Sequence, residues 1–332
     1  MKPSGNASAS PNWYTCDIDR KILKGHFARD DMHALVHLGV WFALLGVTGY
    51  LGFLSWGTWW AVPAFLAYGT LYAGAEARAH ELGHGTPFRT AWLNTVFYHI
   101  TSFIALREAY YCKWRHSVHH THTIATEHDP EIQVKRPADL VKIGLDFFYI
   151  IGGWQELKKI TLHALGIMTS GVKAFVPQSE WRNMVWSSRA YLAVMALVIL
   201  FAIWSGSFLP LMYVALPRFY GGWFHQLCGL TQHAGLAEEA EDHRLNTRTV
   251  YMDPVSQFLY FNMNYHLEHH LYPMVPFHAL PRLHARLKDQ LPPAYDGFID
   301  VYAEILPALW RQSRDPSYFV DRTAVVAKLQ AA

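Results

Sequence analysis

The chain is 332 residues long, 52% hydrophobic and 15% aromatic, with only 16% charged residues and a formal net charge of +2. This apolar, aromatic content excludes a disordered or collagen-like chain, and the near-neutral charge excludes a dominant nucleic-acid footprint, so no nucleic-acid partner is expected. Three scattered cysteines (Cys16, Cys112, Cys228) exclude a disulfide scaffold or a cysteine–zinc ribbon and fit a reducing compartment, whereas histidine is abundant at 20 residues.

Residues 1–30 read as a polar N-terminal tail. Met1 to Pro11 is rich in Ser and Asn and has no apolar signal-peptide core. From Met32 to Ala75 there is no Asp, Glu, Lys or Arg. A bilayer core takes about 20 helical residues. This stretch therefore holds two spans, about 34–54 and 58–77, turned at Ser55-Trp56-Gly57-Thr58 with Trp56, Trp59 and Trp60 at an interface. The apolar runs 91–106 and 143–154 are short for spans and read as helices at or dipping into the interface. Residues 155–175 alternate Lys158, Lys159 and Lys173 with Leu157, Ile160, Leu165 and Ile167, as an amphipathic surface helix does.

The second charge-poor stretch, Ala190 to Ala237, contains only Arg218. It holds spans at about 190–206 and 209–230, turned at Ser205-Gly206-Ser207. Arg218 is expected to snorkel to the interface. Residues 278–290 read as helical, and 291–332 as a soluble C-terminal tail. A soluble hairpin needs a polar outer face, and neither stretch has one. Lys21, Lys24 and Arg29 precede the first hairpin and Arg78 follows it. Arg182 and Arg189 precede the second, and Arg244 and Arg248 follow it. The positive-inside rule therefore makes both termini and the 76–189 segment cytoplasmic. The expected fold is an all-α, multi-pass integral membrane protein. Residues 31–290 form one domain of four transmembrane helices in two hairpins, with a cytoplasmic helical cap.

That cap carries the histidines, in three boxes: His80-Glu81-Leu82-Gly83-His84, His116-Ser117-Val118-His119-His120 and His266-Leu267-Glu268-His269-His270. On a helix, positions i, i+3 and i+4 share a face, so each box aims its imidazoles one way. Eight imidazoles exceed the four ligands of one zinc and match two metal ions. Imidazole suits iron, copper, zinc and nickel alike. Box one is also HExxH, the motif of zinc peptidases with Glu81 as general base. That reading, an intramembrane metallopeptidase, leaves most of the other box histidines unexplained. A histidine-rich metal transporter needs ligands at mid-membrane, and these boxes lie outside the charge-free spans. Carboxylates near the boxes are candidates to accept the free N–H of a ligating imidazole: Glu81, Asp129 and Glu268, with Asn264 a weaker one.

The order HxxxH, HxxHH, HxxHH, with the second hairpin between boxes two and three, resembles the membrane fatty-acid desaturase and hydroxylase superfamily. So do Asp129-Pro130-Glu131 and the string from Asn264 to Pro273, Asn-Tyr-His-Leu-Glu-His-His-Leu-Tyr-Pro. The resemblance implies four transmembrane helices, a cytoplasmic cap, a non-haem centre of two iron ions, O2 as co-substrate and electrons from a separate donor. It also implies a further ligand at Gln232-His233, which gives nine: His80, His84, His116, His119, His120, His233, His266, His269 and His270. His225 is a weaker candidate for a tenth. His122 and His128 are expected beside the ligands or on the surface. His163, His243, His284 and the rest are expected to be structural.

The implied activity is O2-dependent oxidation of an unactivated C–H bond, first of all desaturation of a fatty-acyl lipid. The alternative is hydroxylation or monooxygenation of a hydrocarbon or small catabolic substrate. The chain has no HPGG haem motif, and an iron–sulfur or rubredoxin module needs four cysteines. A separate ferredoxin, rubredoxin or cytochrome b5-type donor with its reductase is therefore expected. The Lys and Arg residues around 135–159 and 282–288 read first as ordinary interface-facing charge, with docking of an acidic donor as the alternative.

Overall fold

The computed structural model describes residues 13–331, so the Met1–Pro11 stretch lies outside the described residues. Residues 13–19 are packed rather than trailing. The Tyr14 N–H donates to the Glu241 carbonyl (3.2 Å), Cys16 is buried, and the Gln290 amide bonds Asp17 through both its ends. Helix α1 (Arg20–His26) is capped by Asp19, whose carboxylate accepts the Lys21 and Ile22 N–H groups.

Helix α2 (Asp31–Ser55) is capped by Asp30 and runs apolar on every face. Its buried stripe, Ala34, Leu38, Trp41, Leu45, Gly49 and Gly52, follows helical spacing and packs on α3 (Ala61–Ala73). Gly57 turns the hairpin with φ +83°, a left-handed conformation that suits glycine. After Gly74 the chain continues into α4 (Ala75–His84), which carries the first box. The predicted 58–77 span is thus a shorter helix leading directly into the site. Helix α5 (Ala91–Ile104) packs on α4, and α6 (Ala109–Thr121), capped by Glu108, carries the second box at its C-terminal end.

The region expected as an interface helix (143–154) followed by an amphipathic surface helix (155–175) is divided more finely. Helix α7 (Leu140–Asp146) is followed by Tyr149 at φ +52° and by α8 (Ile150–Ala164). Gly166 at φ +78° then leads to the short α9 (Ser170–Phe175). Helix α10 (Gln178–Ser205) is the second long apolar helix. Helices α2 and α10 are long and apolar enough to cross a membrane, and only 28% and 17% of their apolar windows are buried in the protein. Neither is the core helix of a soluble domain, which would be mostly buried.

The return segment 209–230 departs from the expected continuous span. It comprises a π-helical turn (Leu211–Ala215), α11 (Pro217–Gly221) and α12 (Trp223–His233). Pro210 and Pro217 remove backbone donors, and the Gly221-Gly222 pair loosens the helix further. The exposed carbonyls are not left bare. Tyr220, Tyr68 and Tyr72 donate phenolic O–H groups to the carbonyls of Met212 (2.7 Å), Tyr213 (2.9 Å) and Val214 (3.1 Å). Broken backbone is tolerated in an apolar setting when side chains satisfy it in this way.

The rest of the chain closes the cap. Helices α13 (His243–Asn246), α14 (Pro254–Leu259), α15 (His266–Leu271, the third box) and α16 (Leu280–Leu287) follow in order. Residues 291–331 are not a loose tail. Strand β2 (Tyr295–Asp296) pairs in parallel with β1 (Val250–Tyr251), and α17 (Gly297–Gln312) buries Val301, Ile305 and Leu309 in the main core. Helix α18 (Thr323–Ala331) ends the described chain.

Candidate metal centre

Four elements converge. Helix α4 presents His80 and His84 one turn apart. Helix α6 presents His116, His119 and His120, α15 presents His266, His269 and His270, and the last residue of α12 is His233. These nine histidines fall into two adjacent groups. His80, His84, His116, His120 and His269 form one, and His119, His233, His266 and His270 form the other. Within each group, one ring nitrogen from every histidine lies within 4.8 Å of all the others. In the first group the Nε2 atoms approach each other at 2.8 Å (His80 and His269), 3.0 Å (His84 and His116) and 2.9 Å (His116 and His120). In the second, His233 and His270 each bring Nε2 to 3.0 Å from Nε2 of His266.

The opposite ring nitrogens decide what these close approaches mean. His233 Nδ1 donates to the Asn246 carbonyl (2.7 Å), an oxygen that only accepts, so its Nε2 carries a lone pair. His270 Nδ1 faces Thr123 Oγ1 (3.3 Å), whose own hydrogen goes to the His119 carbonyl (2.7 Å), so its Nε2 is bare as well. Both lone pairs converge on His266, whose ring supplies at most one hydrogen between them. A cation bound among these nitrogens resolves the conflict. The donor set fits a metal, and the carboxylates and carbonyls behind the rings hold them in the ligating tautomer.

Those supports are specific. His119 Nδ1 donates to Asp129 Oδ2 (2.8 Å), and His116 Nδ1 to Glu131 Oε2 (2.7 Å). Glu81 Oε1 lies 3.1 Å from His269 Nδ1, off the line of a hydrogen bond, while its other oxygen accepts from Thr86 (2.9 Å). Burial pushes the Glu81 carboxyl up to about 8. Burial and neighbouring imidazoles push His80, His84, His120, His266, His269 and His270 well below the usual histidine range, and His233 down to about 3. Neutral imidazole is the ligating form. Burial also opposes charge on His119, but the Asp129 carboxylate outweighs it and pushes that ring up. A metal there displaces a proton.

Two expected supports sit elsewhere. Glu268 accepts from Thr249 (2.6 Å) and from His284 Nδ1 (2.6 Å) rather than from a box histidine, because the helix turns its side chain to the side opposite the rings. Asn264 donates to the Val250 carbonyl (2.8 Å) and fixes the approach to box three without touching an imidazole. His225 is outside both groups, with Nε2 3.3 Å from Glu76. Arg218 does not snorkel. It is 3% exposed, paired with Glu76 and lies over the Tyr149 ring (4.1 Å).

A profile described as fatty acid desaturase matches residues 54–302, more than half of the chain. The chain belongs to the fatty acid desaturase family. No curated protein matches it. Family membership makes it an oxidoreductase of the desaturase or hydroxylase type, and the histidine groups are suited to hold the metal such chemistry uses.

Sequence reasoning missed the charged frame around the family's histidines. Glu76 pairs with both Arg107 and Arg218. Glu131 accepts from Arg115 (2.8 Å) as well as His116, and Arg115 continues to Glu156 (3.1 Å), which also takes Lys159 (2.6 Å). The Asp129-Pro130-Glu131 string was the one visible signal for Glu131. Two cavities reach the rings. One, of about 320 Å³, is bounded by His80, His119, His233 and His266 together with Arg107, Arg115 and Glu131. The other, of about 450 Å³, is bounded by His84 and His120 with Tyr98, Cys112 and Trp114.

Proposed function

We propose that this protein is a membrane-embedded, O2-dependent di-iron oxidoreductase that oxidises an unactivated C–H bond, with desaturation of a fatty-acyl lipid as the first reading. The observation that carries it is the convergence of nine histidine rings in two adjacent groups, with the bare Nε2 lone pairs of His233 and His270 both directed at His266. His80, His84, His116, His120 and His269 would hold one ion, and His119, His233, His266 and His270 the other. Two iron ions bound there supply the redox chemistry that activates O2, which zinc does not. The residues keep the rings neutral, fix their tautomers through Asp129, Glu131 and the Asn246 carbonyl, and exclude bulk water by burial.

The charge-poor hairpins support four membrane crossings, with α3 and the broken α11–α12 return completing the pairs begun by α2 and α10. The cap and both termini would then be cytoplasmic. Electrons would come from a separate donor protein, because the chain carries neither a haem motif nor four cysteines. A second reading, hydroxylation of a small catabolic substrate, is favoured by the charged side chains Arg107, Arg115 and Glu131 in the cavity that reaches His119, His233 and His266. The zinc peptidase reading finds no support. Glu81 is buried against Thr86 and His269, where no substrate water reaches it.

Elemental mass spectrometry of the detergent-purified protein from iron-supplemented cells tests the centre. The expected content is about two iron ions per chain. Supplying O2, a reductase and membrane lipids should then yield new double bonds, or hydroxyl groups under the second reading. A single tightly held zinc with no iron uptake would overturn the proposal.

A further inference from the structure

Among the described residues, His243 is the one buried imidazole outside the nine that touches them. Its ring centroid lies 5.0 Å from that of His270. On its far side Trp13 stacks on it, with centroids 4.0 Å apart and planes within 8° of parallel. Trp13 is half-buried, and its indole N–H donates to the Thr121 carbonyl (3.2 Å), which fixes the ring. Three rings therefore run in contact from the protein surface to a histidine of the four-member group. Electron tunnelling through protein falls off exponentially with distance, and stacked π-systems leave the smallest gaps. Neither Trp13 nor His243 lines either of the two cavities.

We propose that Trp13 and His243 form the entry route by which single electrons pass from an external carrier protein to the metal ion that His270 would hold. The proposal rests on the di-iron reading above. In each passage one electron leaves the carrier, which is oxidised, and arrives at the metal pair, which is reduced. No bond forms or breaks, and the two rings bridge the gap unchanged. The carrier meets Trp13 at a surface where exposed Glu241 adjoins Tyr14 through the backbone.

The test attaches a ruthenium polypyridyl photoreductant to a Glu241→Cys variant of the iron-loaded, oxidised protein. Cys16 and Cys228 are buried, and burial pushes the Cys112 thiol up to about 11, so the introduced thiol takes the label. After a flash, a fast phase of ruthenium oxidation is expected as the electron departs. That phase should be lost in His243→Leu and in Trp13→Leu and kept in His243→Phe, which preserves a flat ring, with iron content unchanged throughout. A label at Lys113→Cys, one turn before His116, should be insensitive to His243. A fast phase that survives His243→Leu, or one lost equally from both labels, would overturn the route. Failure of the unsubstituted protein to bind iron is seen earlier, by elemental analysis, and would overturn the metal reading itself.

Discussion

Asp129 Oδ2 accepts the Nδ1 hydrogen of His119 at 2.8 Å and the backbone N–H of Ile124 at the same distance, so one carboxylate oxygen ties a ring of the second box to the loop that follows it. Against the penalty of burial, the His119 bond and these backbone bonds hold the Asp129 carboxyl below its ordinary value. The anion then both orients the ring and raises its basicity toward a metal. Losing such a support typically weakens metal affinity roughly 10–100-fold. Asp129→Ala should therefore release iron at a lower chelator concentration, measured by competition followed by elemental analysis. Unchanged iron retention would show that packing alone orients His119.

Removing a ligand should be harsher than removing its support. His119→Ala is expected to lose iron from the four-histidine group and to abolish turnover. His163→Ala is the control. His163 is fully buried on α8 beside Tyr111, and neither of its ring nitrogens has a partner. That variant should keep full iron and activity, and equal iron contents in the two variants would contradict the assignment of His119.

The histidine groups were largely legible in the sequence because boxes with i, i+3 and i+4 spacing need only a helix to aim their rings. His233 was reachable only through resemblance, since a single imidazole at a helix end carries no spacing of its own. The charged frame was not legible. Glu76, Arg115 and Glu156 come from three different helices and Arg107 from the turn before α6, and nothing local pairs them. Arg218 looked like a snorkelling residue because the sequence shows the apolar neighbours along its own segment and not the Glu76 carboxylate on another. The broken return segment was misread for a related reason. Hydropathy registers the apolar length of 209–230, whereas Pro210, Pro217 and the glycine pair decide that the length is not one helix.

Glu76 holds two guanidinium groups together, from Arg107 on the turn before α6 and Arg218 on α11. Breaking a buried charge pair by removing one partner typically costs about 3–5 kcal/mol, because the remaining charge is left unpaired. Glu76→Gln leaves Arg218 without its carboxylate partner and Arg107 with only Glu131, at 3.8 Å. It should lower the melting temperature in detergent more than Arg218→Leu, which leaves Glu76 with Arg107. The reverse order, or no change in either, would mean that water reaches and solvates these charges.

The α3–α11 crossing depends on Gly69 and Gly221, which touch backbone to backbone. A Cβ at Gly221 would lie 1.9 Å from the carbonyl carbon of Gly69, and no flexible side chain is present to yield. Small residues at such crossings let helices approach closely in an apolar setting. Overpacking costs typically about 1–3 kcal/mol, and backbone against backbone belongs at the upper end. Gly221→Ala must also push α11 away from α3, and α12 follows directly, carrying His233. The expected outcome is a lower melting temperature together with weaker iron binding in the four-histidine group. Gly39→Ala, where an added Cβ meets nothing within 4 Å on a helix, should be neutral or stabilising by about 0.4–1 kcal/mol. If Gly221→Ala melted like Gly39→Ala and kept its iron, the close crossing would not be what positions His233.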